Sequence, residues 1–240
     1  MKASLSLLVV ILSSITCFPQ KFDTAFVRES IAHTQKLYND KMKAEWPLNA
    51  GGQYADYAPI EEEHPYFLSD DWMEGSVVYM NDVYHKIPLL FDLRTEKLIT
   101  EHTPSAMQIE LTSDKVRTFT MDGHLFIRFY KDSVKNLPET GFYNVLQTGN
   151  VSLLARRKKN IQQSISSGKI VAITHEINRY YVLKLNEVIP VRSKKSIISA
   201  LNDLPDLKKM VRRSNLAFGK NRETGLSETV RIYNEMRNQK

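Results

Sequence analysis

The chain has 240 residues, of which 42% are hydrophobic and 25% are charged, and it carries a formal net charge of +6. This length suits one large domain or two small ones and is sufficient to bury a hydrophobic core without disulfides. Because Cys17 is the single cysteine, thiolate metal sites and dithiol redox catalysis are excluded. The sequence also lacks the nucleophile elbow of serine hydrolases and a glycine-rich phosphate-binding loop.

Residues 1–20 are predicted to be a secretory signal peptide. Lys2 gives a short positive start, Leu5 to Ile15 is an apolar run too short to span a bilayer, and small and polar residues follow. Cleavage near Phe18 would leave a mature chain without cysteine. Lipidation at Cys17 is the alternative, but the residues before it lack the Leu and the small Gly or Ala of a lipoprotein box. We therefore expect an exported protein, periplasmic or at the cell surface.

The charge is unevenly distributed along the rest of the chain. From Arg192 to Lys240, Lys and Arg exceed Asp and Glu by 7, whereas residues 18–191 carry a net charge of −2. We predict a body over residues 21–191, made of an N-terminal helix and antiparallel strands, and a basic helical tail over residues 192–240 packed on it. Solvated helix faces explain such a charge most simply. For an exported chain we expect no nucleic acid partner, and at most a weak contact of the tail with anionic lipid.

The mature chain begins with a predicted helix and a predicted loop. Apolar residues recur at roughly helical spacing between Phe22 and Lys43. Glycine and proline then interrupt regular structure between Leu48 and Asp71, where several aromatic residues indicate an ordered loop. We expect this loop to bind a partner through the following side chains: Tyr54, Tyr57, His64, Tyr66 and Phe67.

The same loop contains most of the candidate acid–base residues. Glu61, Glu62 and Glu63 precede His64, but their spacing matches neither a calcium loop nor a zinc-binding helix. We therefore predict no metal site, no cofactor and no assigned catalytic residue. A glycoside hydrolase needs only two carboxylates brought together by folding, and a pair could come from these residues: Glu61, Glu62, Glu63, Asp70, Asp71 and Asp92. Asp92 also stands where a turn favours an Asx residue.

From Glu74 to Val191 short apolar runs alternate with turn signals. The strongest is Asp122-Gly123, because both central positions of a tight hairpin turn need positive φ. Asn81-Asp82 and Thr148-Gly149-Asn150 are similar signals. Pro88 should place its strand at a sheet edge or beside a bulge. The pattern predicts an antiparallel meander, closed as a barrel or paired as a sandwich.

A compact basic cluster follows the third turn. Its residues are candidates for contact with phosphate or sulfate groups: Arg156, Arg157, Lys158 and Lys159. Charged residues at strand ends also discourage edge-to-edge aggregation, which is the simpler interpretation. Ile170 to Ile173 and Tyr180 to Leu185 are predicted as two further strands.

The tail changes to helical periodicity. Ser196 is predicted to cap a first short helix, and Asp203 is predicted to cap a second that has Pro205 in its first turn. A third helix is expected from roughly Glu223 to Met236. Together with the strands, these helices indicate an α+β fold. Their apolar stripes should pack on the sheet or on each other.

Several segments form a succession along the mature chain: Leu48 to Gly51, His64 to Phe67, Gly75 to Tyr79, Pro88 to Leu93, Gly141 to Leu146, Arg179 to Val182 and Ser193 to Lys195. This succession resembles a family of uncharacterised secreted proteins of Bacteroidota. The chain departs from the family at Gln147, where an aromatic residue is usual, and at Met80 to Asp82, where an Asp-Gly turn is usual. The resemblance implies export in a Gram-negative bacterium, and it brings no catalytic residues with it.

The sequence therefore favours an exported cell-envelope protein that is a non-catalytic binding or structural module. Its sheet surface or the aromatic loop would bind a protein or a glycan. The alternative is a carboxylate-based hydrolase of envelope polymers, which would need two carboxyl groups close together in a cleft. The oligomeric state is not encoded in any pattern of the sequence.

Overall fold

The computed structural model describes residues 33–34, 37, 45–55, 64–102, 105–166, 169–216, 218–219 and 221–239. The chain divides into two units, Met1–Met42 and Lys43–Lys240. The first unit holds the first three of these residues, so the signal peptide and most of the predicted N-terminal helix lie outside the described residues and stay predictions. All the elements that follow belong to the second unit.

In the part of the chain that the structure describes, eleven strands form one sheet in the order β1-β5-β4-β3-β2-β6-β7-β8-β9-β10-β11. Every neighbouring pair in this order runs antiparallel. The strands are β1 (Gly52–Gln53), β2 (Met73–Tyr79), β3 (Asp82–Asp92), β4 (Lys97–Glu101), β5 (Gln108–Glu110), β6 (Val116–Met121), β7 (His124–Phe129), β8 (Gly141–Gln147), β9 (Ser152–Ser166), β10 (Lys169–Lys184) and β11 (Glu187–Val191). The predicted antiparallel β body is thus confirmed.

The sheet is open, because its outer strands β1 and β11 are not neighbours. The predicted closure as a barrel, or pairing of two sheets as a sandwich, is therefore not found. After β5 the chain returns and adds β6 beside β2, so each later strand extends the same sheet. One extra residue each in β3 (Lys86), β6 (Arg117) and β8 (Leu146) forms a bulge that bends the sheet. The Lys159 N–H in β9 donates to the Leu93 carbonyl after β3 (3.2 Å). The sheet thus curls without closing.

The predicted hairpin turns are present. Asp122 and Gly123 have φ of 45° and 73° and join β6 to β7, which confirms this turn. Between β2 and β3 the positive φ values fall on Met80 (52°) and Asn81 (75°). This turn therefore lies one residue earlier than predicted, and Asp82 already pairs as the first residue of β3.

Pro88 lies in an interior strand, since β3 has β4 on one side and β2 on the other. Of the two predicted settings, edge or bulge, the structure has the bulge. The register between β2 and β3 skips one residue at Lys86, whose φ is 54°. An extra residue in one strand locally disrupts the hydrogen bonds between the two strands. Pro88, which has no N–H to donate, is therefore tolerated in β3 two residues after this bulge.

Strands β9 and β10 are much longer than predicted. They have 15 and 16 residues and pair along their whole length, so the two short strands expected in the β10 region are one strand. β8 pairs with β9 only as far as Ala155, and β11 pairs with β10 only as far as Tyr180. Beyond these points β9 and β10 continue as a two-stranded ribbon. The basic cluster, predicted at a strand end, lies inside β9 at the base of this ribbon.

An aromatic core fills the curl of the sheet. Phe91, Phe119, Phe126 and Phe142 come from four strands, and each is about 1% exposed. Their contacting rings have centroids between 4.7 and 5.7 Å apart, mostly edge to face. Aromatic pairs in this range add stabilisation beyond the area that they bury.

Among the described residues of the second unit, the α-helices lie in the C-terminal part. They are α1 (Lys194–Ala200), α2 (Leu207–Arg213) and α3 (Arg222–Asn238). Ser193, not Ser196, caps α1: the Ser196 N–H donates to Ser193 Oγ (3.3 Å), and the Ser193 N–H donates to Ser196 Oγ (2.9 Å). Likewise α2 begins after Asp206 rather than Asp203. Among the described residues, no helix combines the length and apolar character needed to cross a membrane.

The helices cover one face of the second half of the sheet, where their apolar stripes form a core with β9, β10 and β11. In α2, Leu207 and Val211 are buried as predicted, whereas Met210 is 39% exposed. The side chain of Asn234 joins α3 to the turn between β8 and β9. It accepts the Val151 N–H (3.0 Å) and donates to the carbonyls of Thr148 (3.2 Å) and Val151 (3.0 Å).

Asp203 has a structural role other than the predicted helix cap. Its carboxylate accepts hydrogen bonds from Lys184 Nζ (2.7 Å) and the Tyr233 hydroxyl (2.9 Å), and it forms an ion pair with Arg237. Burial by itself would raise the pKa of Asp203, but these three partners outweigh burial and hold the pKa well below its usual value. The residue therefore ties the segment between α1 and α2 to β10 and to α3.

Candidate functional site

The aromatic loop is folded into the sheet. Tyr54 and Tyr66 are 5% and 6% exposed, and their ring centroids lie 6.5 Å apart. The Tyr54 hydroxyl donates to Asp92 Oδ2 (3.0 Å), and Tyr66 forms an isolated backbone bridge with Asp92. Burial, followed by the Asp92 carboxylate, raises the pKa of Tyr54 far above its usual value. Tyr57 lies outside the described residues.

The other two candidates of this loop differ in exposure. Phe67 is 3% exposed and packs edge to face on Phe126, with centroids 5.1 Å apart. His64 is half-buried and stacks on Tyr66, with centroids 6.1 Å apart. Phe67 thus belongs to the aromatic core, so the three described aromatic candidates of the loop, Tyr54, Tyr66 and Phe67, are all buried.

Asp92, one of the candidate carboxylates, is fully buried. Besides the Tyr54 hydroxyl, it accepts the N–H groups of Arg94 (2.7 Å) and Thr95 (3.2 Å) and the Thr95 hydroxyl (2.5 Å). These bonds build the turn after β3, as expected for an Asx residue at this place. Glu61, Glu62 and Glu63 lie outside the described residues. Within the described part, no group of three or more His, Cys, Asp and Glu side chains could hold a metal ion.

Arg156 lies at the point where β9 separates from β8. It is 1% exposed, and its guanidinium donates to the carbonyls of Phe142 (2.7 Å) and Thr140 (3.4 Å). It also forms ion pairs with Glu96 and with Glu139 (3.5 Å). The side chain therefore satisfies backbone carbonyls that β9 itself no longer reaches.

Lys158 shares these acidic partners. Its Nζ lies 2.7 Å from Glu139 and 3.8 Å from Glu96. Burial by itself would raise the pKa of Glu139, but Lys158 and Arg156 outweigh burial and lower it. Two cations and two carboxylates therefore form one network at the base of the ribbon.

Arg157 points to the opposite side of β9 and is 6% exposed. It donates to Asn144 Oδ1 through Nε (3.0 Å) and Nη2 (2.8 Å), and it pairs with Glu223 of α3 (2.9 Å). Its guanidinium also lies over the Phe67 ring, 5.5 Å from the centroid. This side chain links the sheet, the helices and the aromatic loop.

Lys159 joins the basic cluster to the aromatic loop. Its Nζ donates to the carbonyls of His64 (3.0 Å) and Tyr66 (2.7 Å). Folding thus brings the basic cluster and the aromatic loop together. Among their described candidates, His64, Lys158 and Lys159 are half-buried, and the others are buried: Tyr54, Tyr66, Phe67, Arg156 and Arg157. Their observed contacts hold the curled sheet.

Two cavities lie beside this junction and were not foreseen from the sequence. One, of about 580 Å³, lies between β10 and the start of α3, and its lining includes Glu176, Tyr180, Arg222 and Glu223. We call it the edge cleft. The edge of β10 is free of β11 here, because their pairing ends at Tyr180 and Val191.

The second cavity, of about 330 Å³, adjoins the edge cleft where β11 ends. We call it the arginine notch, after Arg179, Arg192 and Arg222 in its lining. All three arginine side chains are exposed. They belong to β10, to the residue after β11 and to the start of α3, so no local sequence pattern could have indicated that they line one cavity.

Burial raises the pKa of Tyr180 to about 12, and the Glu223 carboxylate, which accepts its hydroxyl proton in a 3.0 Å hydrogen bond, adds to the shift. The phenol therefore stays protonated at physiological pH and fixes one wall of the edge cleft. Glu223 is engaged on its other oxygen by Arg157. In the wall of the edge cleft, Tyr180 is thus a neutral group and Glu223 a paired one, whereas Arg222 forms no salt bridge with a described carboxylate.

Comparison with known proteins returned no family model, no curated protein and no solved structure that matches this chain. The resemblance to secreted proteins of Bacteroidota accordingly stays a prediction.

Proposed function

We propose that this chain is an exported cell-envelope protein, without catalytic activity of its own, that binds a protein or glycan partner in the edge cleft and the arginine notch. Export is supported by the signal-peptide pattern of residues 1–20. The observation that carries the binding role is the position of the two adjoining cavities at a sheet edge that β11 leaves uncovered. Concave sites with a few convergent polar groups are where proteins most often hold ligands.

The observed contacts of the basic cluster favour the cavities over the cluster as the binding surface. A ligand that engaged Arg156 or Arg157 would have to displace bonds to buried carbonyls and paired carboxylates. Leaving such groups unpaired costs about 1–3 kcal/mol each. Arg192 and Arg222 form no salt bridge with any described carboxylate, so a ligand can bind them without that penalty.

Site-specific photo-crosslinking in the native cells tests this proposal. A photoreactive amino acid at Thr224, an exposed residue of the edge cleft, should yield a discrete adduct, whereas the same group at exposed Arg117 of β6 should not. Changing Arg222 to Glu should abolish the Thr224 adduct while the protein stays folded. Absence of an adduct at Thr224, or equal adducts at both positions, would contradict the proposal.

Export is tested separately by mass spectrometry of the protein purified from fractionated cells. We expect an N-terminal peptide that begins near Phe18 and a location in the envelope fraction. Lipidation would instead leave an acylated Cys17 at the N-terminus. A protein that keeps Met1 and is found in the cytosol would rule out the exported role.

A hydrolase of envelope polymers is the second candidate, because the carboxylates of Glu176 and Glu223 line the same cleft. Two carboxyl groups across a cleft are the minimum for glycoside hydrolysis. The test is release of reducing ends from envelope polysaccharide by the wild-type protein, by Glu176→Gln and by Glu223→Gln. Activity that either variant abolishes would favour the enzyme, and activity that survives both would exclude this pair.

A weak contact with anionic lipid is proposed for α2. Lys208, Lys209, Arg212 and Arg213 are all exposed, and Met210 lies among them. Binding by such a surface would be electrostatic and should weaken steeply with salt. Co-sedimentation with anionic vesicles at low and high salt checks this, and binding that salt does not change would refute it.

A further inference from the structure

Three exposed arginines line the arginine notch. Arg179 belongs to β10, Arg192 follows the last residue of β11, and Arg222 opens α3. None of these guanidinium groups forms a salt bridge with a carboxylate of the described residues. Elsewhere on this protein the arginines at the base of the ribbon are paired with carboxylates. Like charges that share a cavity repel each other, and a bound anion relieves that repulsion.

The nearest carboxylate in the first turn of α3 does not neutralise the notch. Glu223 follows Arg222, but its two oxygens accept hydrogen bonds from Arg157 (2.9 Å) and from the Tyr180 hydroxyl (3.0 Å). The Arg157–Glu223 pair cancels its own charge. The net charge of the notch therefore comes from its three arginines.

The arginines approach the notch from different directions. Successive residues of a strand point to opposite faces of the sheet, and Tyr180 and Tyr181 belong to the cores on opposite faces of β10. Arg179 is two residues before Tyr181 and therefore points to the same face of β10 as Tyr181. Arg222 opens α3, which packs on the face of Tyr180, so it lies on the other side.

This arrangement distinguishes between anions. A carboxylate has two oxygens in one plane and is matched by the fork of a single guanidinium. A tetrahedral phosphate or sulfate presents oxygens in several directions and can accept from several forks at once. The cavity of about 330 Å³ is large enough for such a group together with part of the molecule that carries it.

We propose that the arginine notch is a binding site for a tetrahedral oxyanion, a phosphate or a sulfate, held by Arg179, Arg192 and Arg222. The proposal deepens the proposed function and rests on it only for the biological source of the anion. The group would be carried by the ligand that occupies the edge cleft, or it would be free phosphate or sulfate. In both cases the guanidinium groups donate to its oxygens.

Isothermal titration calorimetry of the mature protein with inorganic phosphate, inorganic sulfate and acetate provides the first test. We expect saturable binding of phosphate or sulfate that weakens as chloride is raised, with acetate binding at least tenfold more weakly. Arg192→Gln and Arg222→Gln should each reduce the affinity at least tenfold, which is about 1.4 kcal/mol. Arg117→Gln, an exposed arginine on β6, is the matched control and should bind like the wild type.

All four arginines are exposed, so these substitutions should leave folding intact, and urea unfolding of each variant confirms it. Phosphate and sulfate that fail to bind, or that bind Arg192→Gln and Arg222→Gln as tightly as the wild type, would overturn the proposal. Acetate that binds as tightly as phosphate would also overturn it, because a planar carboxylate would then satisfy the site.

The source of the anion is decided by titration with a phosphorylated and a sulfated oligosaccharide. If the oligosaccharide binds much more tightly than the inorganic ions, and Arg192→Gln weakens both, the anion is part of a polymer. If the oligosaccharide and the inorganic ion bind equally tightly, the site is for the free ion. This result can be separated from the binding role. Anion binding without a Thr224 adduct refutes the proposed function alone, and an adduct without anion binding refutes the oxyanion site alone.

Discussion

Replacing Arg156 with Met tests whether the basic cluster is structural. The methionine keeps an apolar stem of similar length in the buried position but removes the guanidinium. The change deletes the hydrogen bonds to Phe142 and Thr140 and the ion pairs with Glu96 and Glu139. Two backbone carbonyls at the branch of β8 and β9 then lose their donor, and two carboxylates lose a counter-ion.

The magnitude follows from the burial of these groups. Removing one partner of a buried ion pair costs about 3–5 kcal/mol. Glu96 and Glu139 keep 21% and 37% of their side-chain surface, so water and Lys158 can partly replace the arginine. We therefore expect the lower end, about 3 kcal/mol of unfolding free energy. For a chain of this size that corresponds to a loss of about 6–12 °C in melting temperature.

Urea denaturation followed by tryptophan fluorescence measures this loss, with the slope of free energy against urea as a check on two-state behaviour. Arg117→Met serves as the control, because Arg117 is exposed and should tolerate the same replacement within about 0.5 kcal/mol. A loss below about 1 kcal/mol for Arg156→Met would refute the structural interpretation. The cluster would then again be a candidate binding surface.

Three further predictions concern other parts of the fold. Gly141→Ala should lower the free energy of unfolding in urea by about 2–4 kcal/mol, because its φ is +154° and a Cβ would overlap the Arg156 guanidinium. A smaller loss in the Arg156→Met background would confirm that overlap. An equal loss there would mean that backbone strain is the sole cause. Asn234→Ala should lower the free energy of unfolding by about 2–3 kcal/mol and speed hydrogen exchange at the Val151 amide, whose N–H donates to Asn234. Unchanged exchange at this amide would contradict the link between α3 and the sheet. Asp203→Asn should lower stability at neutral pH. Because the folded-state pKa of Asp203 lies below the unfolded value of about 3.9, its contribution is present above that pH and is lost as pH falls toward the folded value. The difference between wild type and variant, measured by urea unfolding at several pH values, should therefore be constant near neutrality and shrink below about pH 4, and a difference that grows in acid would show that the sign is wrong.

The sequence alone determined the features that depend on neighbouring residues. Asp122-Gly123 predicted its hairpin because two adjacent positive φ values are a local requirement. The apolar period of α2 and α3 predicted that their stripes would be buried, and Leu207, Val211, Leu226 and Val230 are buried. The helix starts were less well predicted, because the N-cap residues are Ser193 and Asp206, three residues away from the predicted Ser196 and Asp203.

Only the tertiary structure decided how distant segments combine. The pairing of β6 with β2, and the extension of β9 and β10 beyond their neighbours, follow from long-range strand order that no short pattern encodes. That order places the guanidinium of Arg156 over Gly141 and that of Arg157 beside Glu223. Residues that the sequence presents as a surface cluster therefore make buried contacts between elements. The same order brought three scattered arginines into one notch. A side chain's charge is fixed by the sequence, whereas its partner is fixed by the register of strands far away along the chain.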